Sequence, residues 1–400
     1  MSFFEFKIEY ESQESKARLG EIKTKHGKIK TPVFLPVATN ASVKSLTSED
    51  MNDLDAEILM ANTYHLFLRP GLEVIKEFGG LHKFMNWKKP IMTDSGGFQA
   101  FSLGFGIEHG VGKISNIFPD EAKERPKPKG EKFAFVNDKG VTFYSPYDGK
   151  KILLTPELSI EIQETLGSDI MLVLDECTSP LNDYEYTLNS LKRTHKWAEL
   201  CLKTKKTDQA LFGIVQGGEY KDLREESAKF ISSLDFDGIA IGGSLGKSKK
   251  DMHKILDWTI PLLNREKPRH LLGIGTVEDF FNCIERGIDS FDCVSPTRLA
   301  RAGFLYIYPE DGGNVKNKFR IDIGKSIYKK DNSSISENCN CYTCKNYTKA
   351  YLRHLYMAKE LSYYRLASIH NIHFFLNLIK DIRKAIKEEN FLELKKIWLK

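Results

Sequence analysis

The chain has 400 residues, 41% of them hydrophobic and 28% charged, with a formal net charge of +5. This is ordinary globular composition, enough for one barrel of about 250 residues with appendages or for two or three smaller domains. The mild basicity permits a nucleic-acid partner without establishing one. The first residues lack the basic stretch and apolar core of a secretory signal, and no run of 18 apolar residues occurs, so no membrane span is expected. Seven cysteines are an odd number, which suits a reduced cytoplasmic protein whose thiols bind metal or pack.

In chain order, eight short apolar runs read as buried strands: Thr31–Ala38, Ala56–Ala61, Pro90–Thr93, Asp169–Leu174, Leu211–Val215, Gly238–Ile241, Arg269–Gly273 and Ser290–Val294. Several are almost continuously apolar, as parallel strands covered on both faces must be. Helical sequence separates them. Thr155-Pro156-Glu157 supplies an N-cap, a first-turn proline and a first-turn acid, and Gly167 closes that helix. Thr276 opens another, with Asp279 three residues on. Strands alternating with helices predict a TIM (β/α)₈ barrel. A doubly wound open sheet is the alternative, because closure is not written in the sequence. Residues 1–310 are expected to form the barrel. Within them 104–140, rich in Gly, Lys and Pro, reads as a long solvated excursion; its Lys123, Arg125, Lys127, Lys129 and Lys132 suit solvent first and nucleic-acid phosphates as the alternative. Residues 311–400 read as a metal-binding and helical region.

The C-terminal strand ends of such a barrel form its active face. There the sequence places Asp94-Ser95-Gly96-Gly97, Asp175-Glu176-Cys177, Gln216-Gly217-Gly218, Gly242-Gly243, Gly275-Thr276 and Asp292. Buried carboxylates are costly unless paired or functional. Two carboxylates flanking a sugar are what glycosyl transfer needs, one to attack the anomeric carbon and one to move protons. A glutamine and glycines beside them suit the edge and face of a flat base. Farther on, Cys339, Cys341 and Cys344 pack three thiols into six residues, a zinc signal that wants a fourth ligand. His354, His370 and His373 all follow on helical sequence, and spacing does not choose between them.

Taken together, the stretches TPVFLPVATNASVKSLT, ANTYHLFLRPG, MTDSGGFQAFSLG, LDECTSP, GIVQGG, AIGGS, LLGIGT, FDCVSPTRLAR, CNCYTC and LRHLYMAKE…ASIHN resemble the queuine/tRNA-ribosyltransferase family in its bacterial form. They span about residues 27 to 373 in the family's order. The resemblance implies a TIM barrel with a zinc subdomain, assembled as a homodimer. It implies exchange of guanine at the anticodon wobble position of tRNAs for aspartate, asparagine, histidine and tyrosine. The incoming base would be 7-aminomethyl-7-deazaguanine (preQ1).

By motif, Asp292 is implied as the nucleophile and Asp94 as the general acid/base. Ser95, Gly96, Gly97, Phe98, Asp175, Cys177, Gln216, Gly242, Gly243 and Leu272 are implied to bind the base. The stretches Gly273, Ile274, Gly275, Thr276, Val277, Glu278, Asp279 and Thr297, Arg298, Leu299, Ala300, Arg301 are implied to contact RNA. Cys339, Cys341, Cys344 and His370 are implied to hold one structural zinc. Ser244, where the family usually has leucine, and Phe143–Gly149, which lacks the usual arginine, depart from the pattern.

Overall fold

The computed structural model of the protein describes residues 3–98 and 134–400. Eight strands close into a barrel, and their order around the ring is their order along the chain. They are β1 (Val33–Ala38), β2 (Leu59–Ala61), β3 (Ile91–Thr93), β4 (Ile170–Leu172), β5 (Ala210–Val215), β6 (Gly238–Ile241), β7 (Arg269–Leu271) and β8 (Ser290–Cys293). Pairing is parallel, with Ile170 opposite Ala210, Phe212 opposite Gly238, Ile239 opposite Arg269 and Ser290 opposite Val33. Each expected strand therefore forms, and the sheet is a closed barrel. Strands β2, β3, β4 and β7 stop short of their apolar runs, at three residues each, whereas β6 matches its run and β5 starts one residue earlier, at Ala210.

The chain forms two compact units. The first comprises residues 1–7, 22–28 and 60–272. All six residues of β5 are buried. A Cβ at Gly238 would collide with the Phe212 ring, so glycine here lets β5 and β6 approach. The helix Pro156–Leu166 begins as its sequence dictates: the Thr155 hydroxyl accepts the Leu158 N–H at 3.2 Å, and Gly167 ends it in the left-handed region.

An antiparallel sheet of Ala134–Asn137, Gly140–Tyr144 and Lys151–Leu154 departs from the expected excursion, whose last seven residues form its first strand, the turn and the first residue of the second strand. The reason is alternation: Ala134 and Val136 are part-buried while Phe135 and Asn137 face out, a two-residue period that sheet pairing uses. Residues 104–133, including the five basic residues named above, lie outside the described residues. Just before β4, the buried Asp169 accepts His26 Nδ1 at 2.8 Å and the Ile91 N–H at 2.9 Å, and lies 3.2 Å from His82 Nε2. The carboxylate thus ties residue 26 to the start of two barrel strands.

The second unit comprises residues 8–21, 29–59 and 273–400. Its core is aromatic. Phe374 and Phe375 of the long helix Leu361–Lys387 pack on Tyr306, and Phe375 also meets Phe34 of β1 and Phe280. Arg18 and Asp289 form a buried bidentate ion pair just before β8, with Nη2–Oδ2 at 2.6 Å. The tail is helical as expected, over Tyr342–Asn346, Lys349–Ala358, Leu361–Lys387 and Phe391–Trp398.

Candidate active site

In the first unit, polar residues gather at the C-terminal ends of β3 to β6. Asp94 follows β3. Its Oδ2 accepts Asn62 Nδ2 at 2.6 Å, its Oδ1 accepts the Thr63 N–H at 2.8 Å, and its carbonyl accepts the Thr63 hydroxyl. Asn62 works in two directions, since its own Oδ1 caps the next helix by accepting the His65 N–H at 3.1 Å. The Asp94 carboxylate is thereby fixed by the segment that follows β2. Its neighbour Ser95 accepts the Ser159 hydroxyl on its carbonyl at 2.7 Å. Gly96 takes φ +80°, and a Cβ at Gly97 would lie 2.8 Å from Leu174 Cδ1 and 3.0 Å from the Asp175 carbonyl. Only glycine lets this turn lie against the end of β4. Phe98 is half-buried beyond it.

Asp175 is buried and accepts Gln216 Nε2. Burial pushes its carboxyl up to about 6, against the stabilising hydrogen bonds from Gln216 and Ser95. Gln216 is anchored at its own N–H by Ser227 Oγ, 3.1 Å away. Its Oε1 is buried and has no partner among the described residues, and the same holds for Ser244 Oγ and Thr178 Oγ1. Gly243, at φ +79°, adjoins this amide so closely that any Cβ would strike Gln216 Oε1. A Cβ at Gly242 would lie 3.1 Å from Leu272 Cδ1. Asp175, Gln216, Gly242, Gly243 and Leu272 thus adjoin one another, with Cys177 buried two residues after Asp175. Glu176, expected among the strand-end carboxylates, is spent elsewhere: it accepts the Tyr186 hydroxyl at 2.8 Å and is ion-paired to Arg193.

In the second unit, Asp292 lies on β8 and its Oδ1 accepts the Gly273 N–H at 2.8 Å. Gly273 takes φ +72°, which aims that N–H without strain. The following stretch is partly structural. Ile274, Val277 and Asp279 are buried, and Thr276 and Asp279 form a reciprocal capping box on the helix Val277–Ile284. A Cβ at Gly275 would meet Cys293 Cβ at 2.7 Å, so this loop is pressed onto β8. Glu278 and Thr276 are half-buried. On the helix Ser295–Arg301, Thr297 and Ala300 are buried, Leu299 is half-buried, and Arg298 and Arg301 are exposed.

The tail of this unit gathers Cys339, Cys341, Cys344 and His370. His370 Nδ1 lies 3.8, 3.6 and 3.3 Å from the three sulfurs in that order. A tetrahedral zinc with bonds of about 2.3 Å to sulfur and about 2.05 Å to nitrogen sets those atoms about 3.6 Å apart, so the donor set fits. His370 Nε2 lies 2.6 Å from the Tyr306 carbonyl, which fixes the ring so that Nδ1 meets the sulfurs. His373 Nδ1 is 3.5 Å from Cys339 Sγ alone. The geometry therefore selects His370 where spacing left three histidines open.

The family profile described as queuine tRNA-ribosyltransferase matches residues 13–400. The chain belongs to the queuine tRNA-ribosyltransferase family. A protein of Archaeoglobus fulgidus provisionally named queuine tRNA-ribosyltransferase is 58% identical over 387 residues, covering 96% of each chain. The queuine tRNA-ribosyltransferase of Natranaerobius thermophilus is 46% identical over 97% of this chain and 96% of its own. That of Bacillus subtilis is 45% identical over 95% and 91%. As a ribosyltransferase-family member the protein is an enzyme of the pentosyl-transferring class, acting in tRNA modification. No helix among the described residues is long and apolar enough to cross a membrane. Three residues that hold the strand-end loops were not singled out from the sequence. Asn62 and Thr63 lie inside the ANTYHLFLRPG stretch, but what they hold is visible only in three dimensions. Arg224 is treated below.

Proposed function

We propose that the protein exchanges guanine at the wobble position of tRNAs with GUN anticodons, those for aspartate, asparagine, histidine and tyrosine, for 7-aminomethyl-7-deazaguanine. The observation that carries this is the buried Asp175–Gln216 pair beside Gly243. A carboxylate acceptor, an amide with an unpartnered carbonyl and a bare backbone suit a guanine-like base, which offers donors on one edge and a flat face. Ser95, Gly96, Gly97, Phe98, Cys177, Gly242 and Leu272 would line the same slot.

Asp292 then attacks the ribose anomeric carbon. The C–N bond to guanine breaks, its electron pair leaves with the base, and an aspartyl–RNA ester forms. The Gly273 N–H on Oδ1 holds the carboxylate in place at the strand end. Asp94 protonates the departing guanine and later takes the proton from the incoming ring nitrogen, which displaces Asp292 and restores the carboxylate. Two inversions retain configuration at carbon. The exposed Arg298 and Arg301 would contact RNA phosphates, with Gly273–Asp279 shaping the loop beside them. In this scheme residues 1–310 carry the chemistry. Residues 311–400 hold one structural zinc on Cys339, Cys341, Cys344 and His370, whose four protein ligands leave no open position. The working form is a homodimer in the cytoplasm.

The test is exchange of radiolabelled guanine into an unmodified GUN anticodon stem-loop, chased with the aminomethyl-deazaguanine base and, separately, with queuine. Label should enter and then be displaced irreversibly by the first base. No incorporation at position 34 would overturn the assignment, and displacement by queuine alone would replace the incoming base.

A further inference from the structure

Arg224 lies near the start of the helix Lys221–Ser233 and is fully buried, 0% exposed. Every partner of its guanidinium among the described residues is a backbone carbonyl. Nε donates to Gly218 O at 2.8 Å, Nη1 to Val215 O at 3.1 Å and Gly242 O at 3.0 Å, and Nη2 to Ser244 O at 2.7 Å. A buried cation without a carboxylate is an expensive way to fill space, and an apolar side chain of similar volume avoids that desolvation. What the guanidinium alone supplies is a rigid planar fork able to hold several acceptors at fixed angles.

The four carbonyls are not scattered. Two flank Gln216, at 215 and 218, and two flank Gly243, at 242 and 244. Glycines make the approach possible: a Cβ at Gly217 would come within 2.8 Å of the Arg224 backbone nitrogen. One turn along the same helix, Ser227 Oγ accepts the Gln216 N–H. The helix therefore grips the loop after β5 by both backbone and guanidinium, and ties it to the loop after β6. Burial lowers the guanidinium to about 9, which leaves it cationic at neutral pH.

We infer that Arg224 is the positioning residue of the base slot, a single buried fork that sets the spacing between the Gln216 amide and the Gly243 backbone. This rests on the base-slot assignment proposed above. Arg224 touches neither base nor ribose, so its effect passes through those two residues. Lysine keeps the charge but is a point donor that cannot span four carbonyls on two loops.

The experiment measures guanine affinity and, separately, affinity for an anticodon stem-loop abasic at position 34, in wild type, Arg224→Lys, Arg224→Gln and Asp175→Asn. Both Arg224 variants should weaken guanine at least tenfold while the abasic stem-loop stays within twofold. Wild-type guanine affinity in a folded Arg224→Lys protein would overturn the inference, as would equal loss for both ligands. Asp175→Asn keeps the two ideas apart: if it binds guanine normally, the base-slot assignment itself falls. Hydrogen exchange on the ligand-free wild type covers the case in which neither Arg224 variant folds. Residues 216–218 and 242–245 should then exchange as slowly as β5 and β6, and fast exchange there would overturn the inference.

Discussion

Two buried polar clusters in this molecule differ in how far they satisfy themselves. At the tail, His370 uses one ring nitrogen on the Tyr306 carbonyl and the other on the sulfurs, while the adjacent Asn371 accepts the Tyr306 N–H and donates to Pro296 O and Phe304 O. At the ends of β4 to β6, Gln216 Oε1, Ser244 Oγ and Thr178 Oγ1 are buried with no partner among the described residues, and Asp175 carries a carboxyl raised by burial. An unmet buried polar atom costs on the order of 1–3 kcal/mol. The first cluster spends its polar groups on its own structure. The second withholds some of them, and that deficit is what a polar ligand can relieve.

The contrast can be broken at several points. Wild type without free base should accumulate a denaturation-resistant RNA adduct, and Asp292→Ala should abolish it and lower exchange by at least about 1,000-fold. An undiminished adduct on denaturing gels would move the nucleophile elsewhere. Cys341→Ala and His370→Ala should lower metal content well below that of wild type and depress the melting temperature, since ligand binding energy here is folding energy. Full metal occupancy by elemental analysis in either variant would remove that residue from the ligand set.

Asp175→Asn should do the reverse of the metal-site changes, losing guanine affinity while raising the melting temperature. A carboxyl whose folded value is raised loses stability as pH climbs from its unfolded value near 3.9 to about 6, so at pH 7 the whole penalty is present. Removing the charge should recover on the order of 3 kcal/mol at pH 7 and almost nothing at pH 3.5. A neutral-pH destabilisation by calorimetry would mean that the carboxylate is structural. The mildest effect expected is on pH dependence. Guanine affinity in wild type should be flat above pH 7 and fall toward tenfold per unit well below about 6, as Asp175 protonates. Affinity unchanged at pH 5 would separate Asp175 from base recognition.

Much of this was legible in the sequence, for identifiable reasons. Buried parallel strands must be apolar along their length, so eight short runs were visible, and Thr155 with Gly167 marked a helix because caps are local chemistry. Closure was not legible, since the β1–β8 pairing joins residues at opposite ends of the barrel sequence. The sheet from Ala134 to Leu154 was obscured by the Gly, Lys and Pro before it. Glu176 looked like its neighbour Asp175, and Tyr186 and Arg193 on the next helix tell them apart. Arg224 sits in Asp222-Leu223-Arg224-Glu225-Glu226, which reads as an exposed charged turn. Its burial follows from four carbonyls that no pattern of side chains announces.

The strand order of the ring also governs how the molecule is made. β1 finds its second neighbour only when β8 has been synthesised, some 250 residues later, which at about 5–20 residues per second takes roughly 12–50 s. Throughout that interval one edge of β1, with Val33, Phe34 and Leu35 all buried in the finished protein, has no strand to pair with. The nascent chain therefore carries an apolar, unpaired edge on the ribosome for most of its synthesis. Truncated or stalled products ending before Ser290 should depend on chaperones for solubility in a way the complete barrel does not.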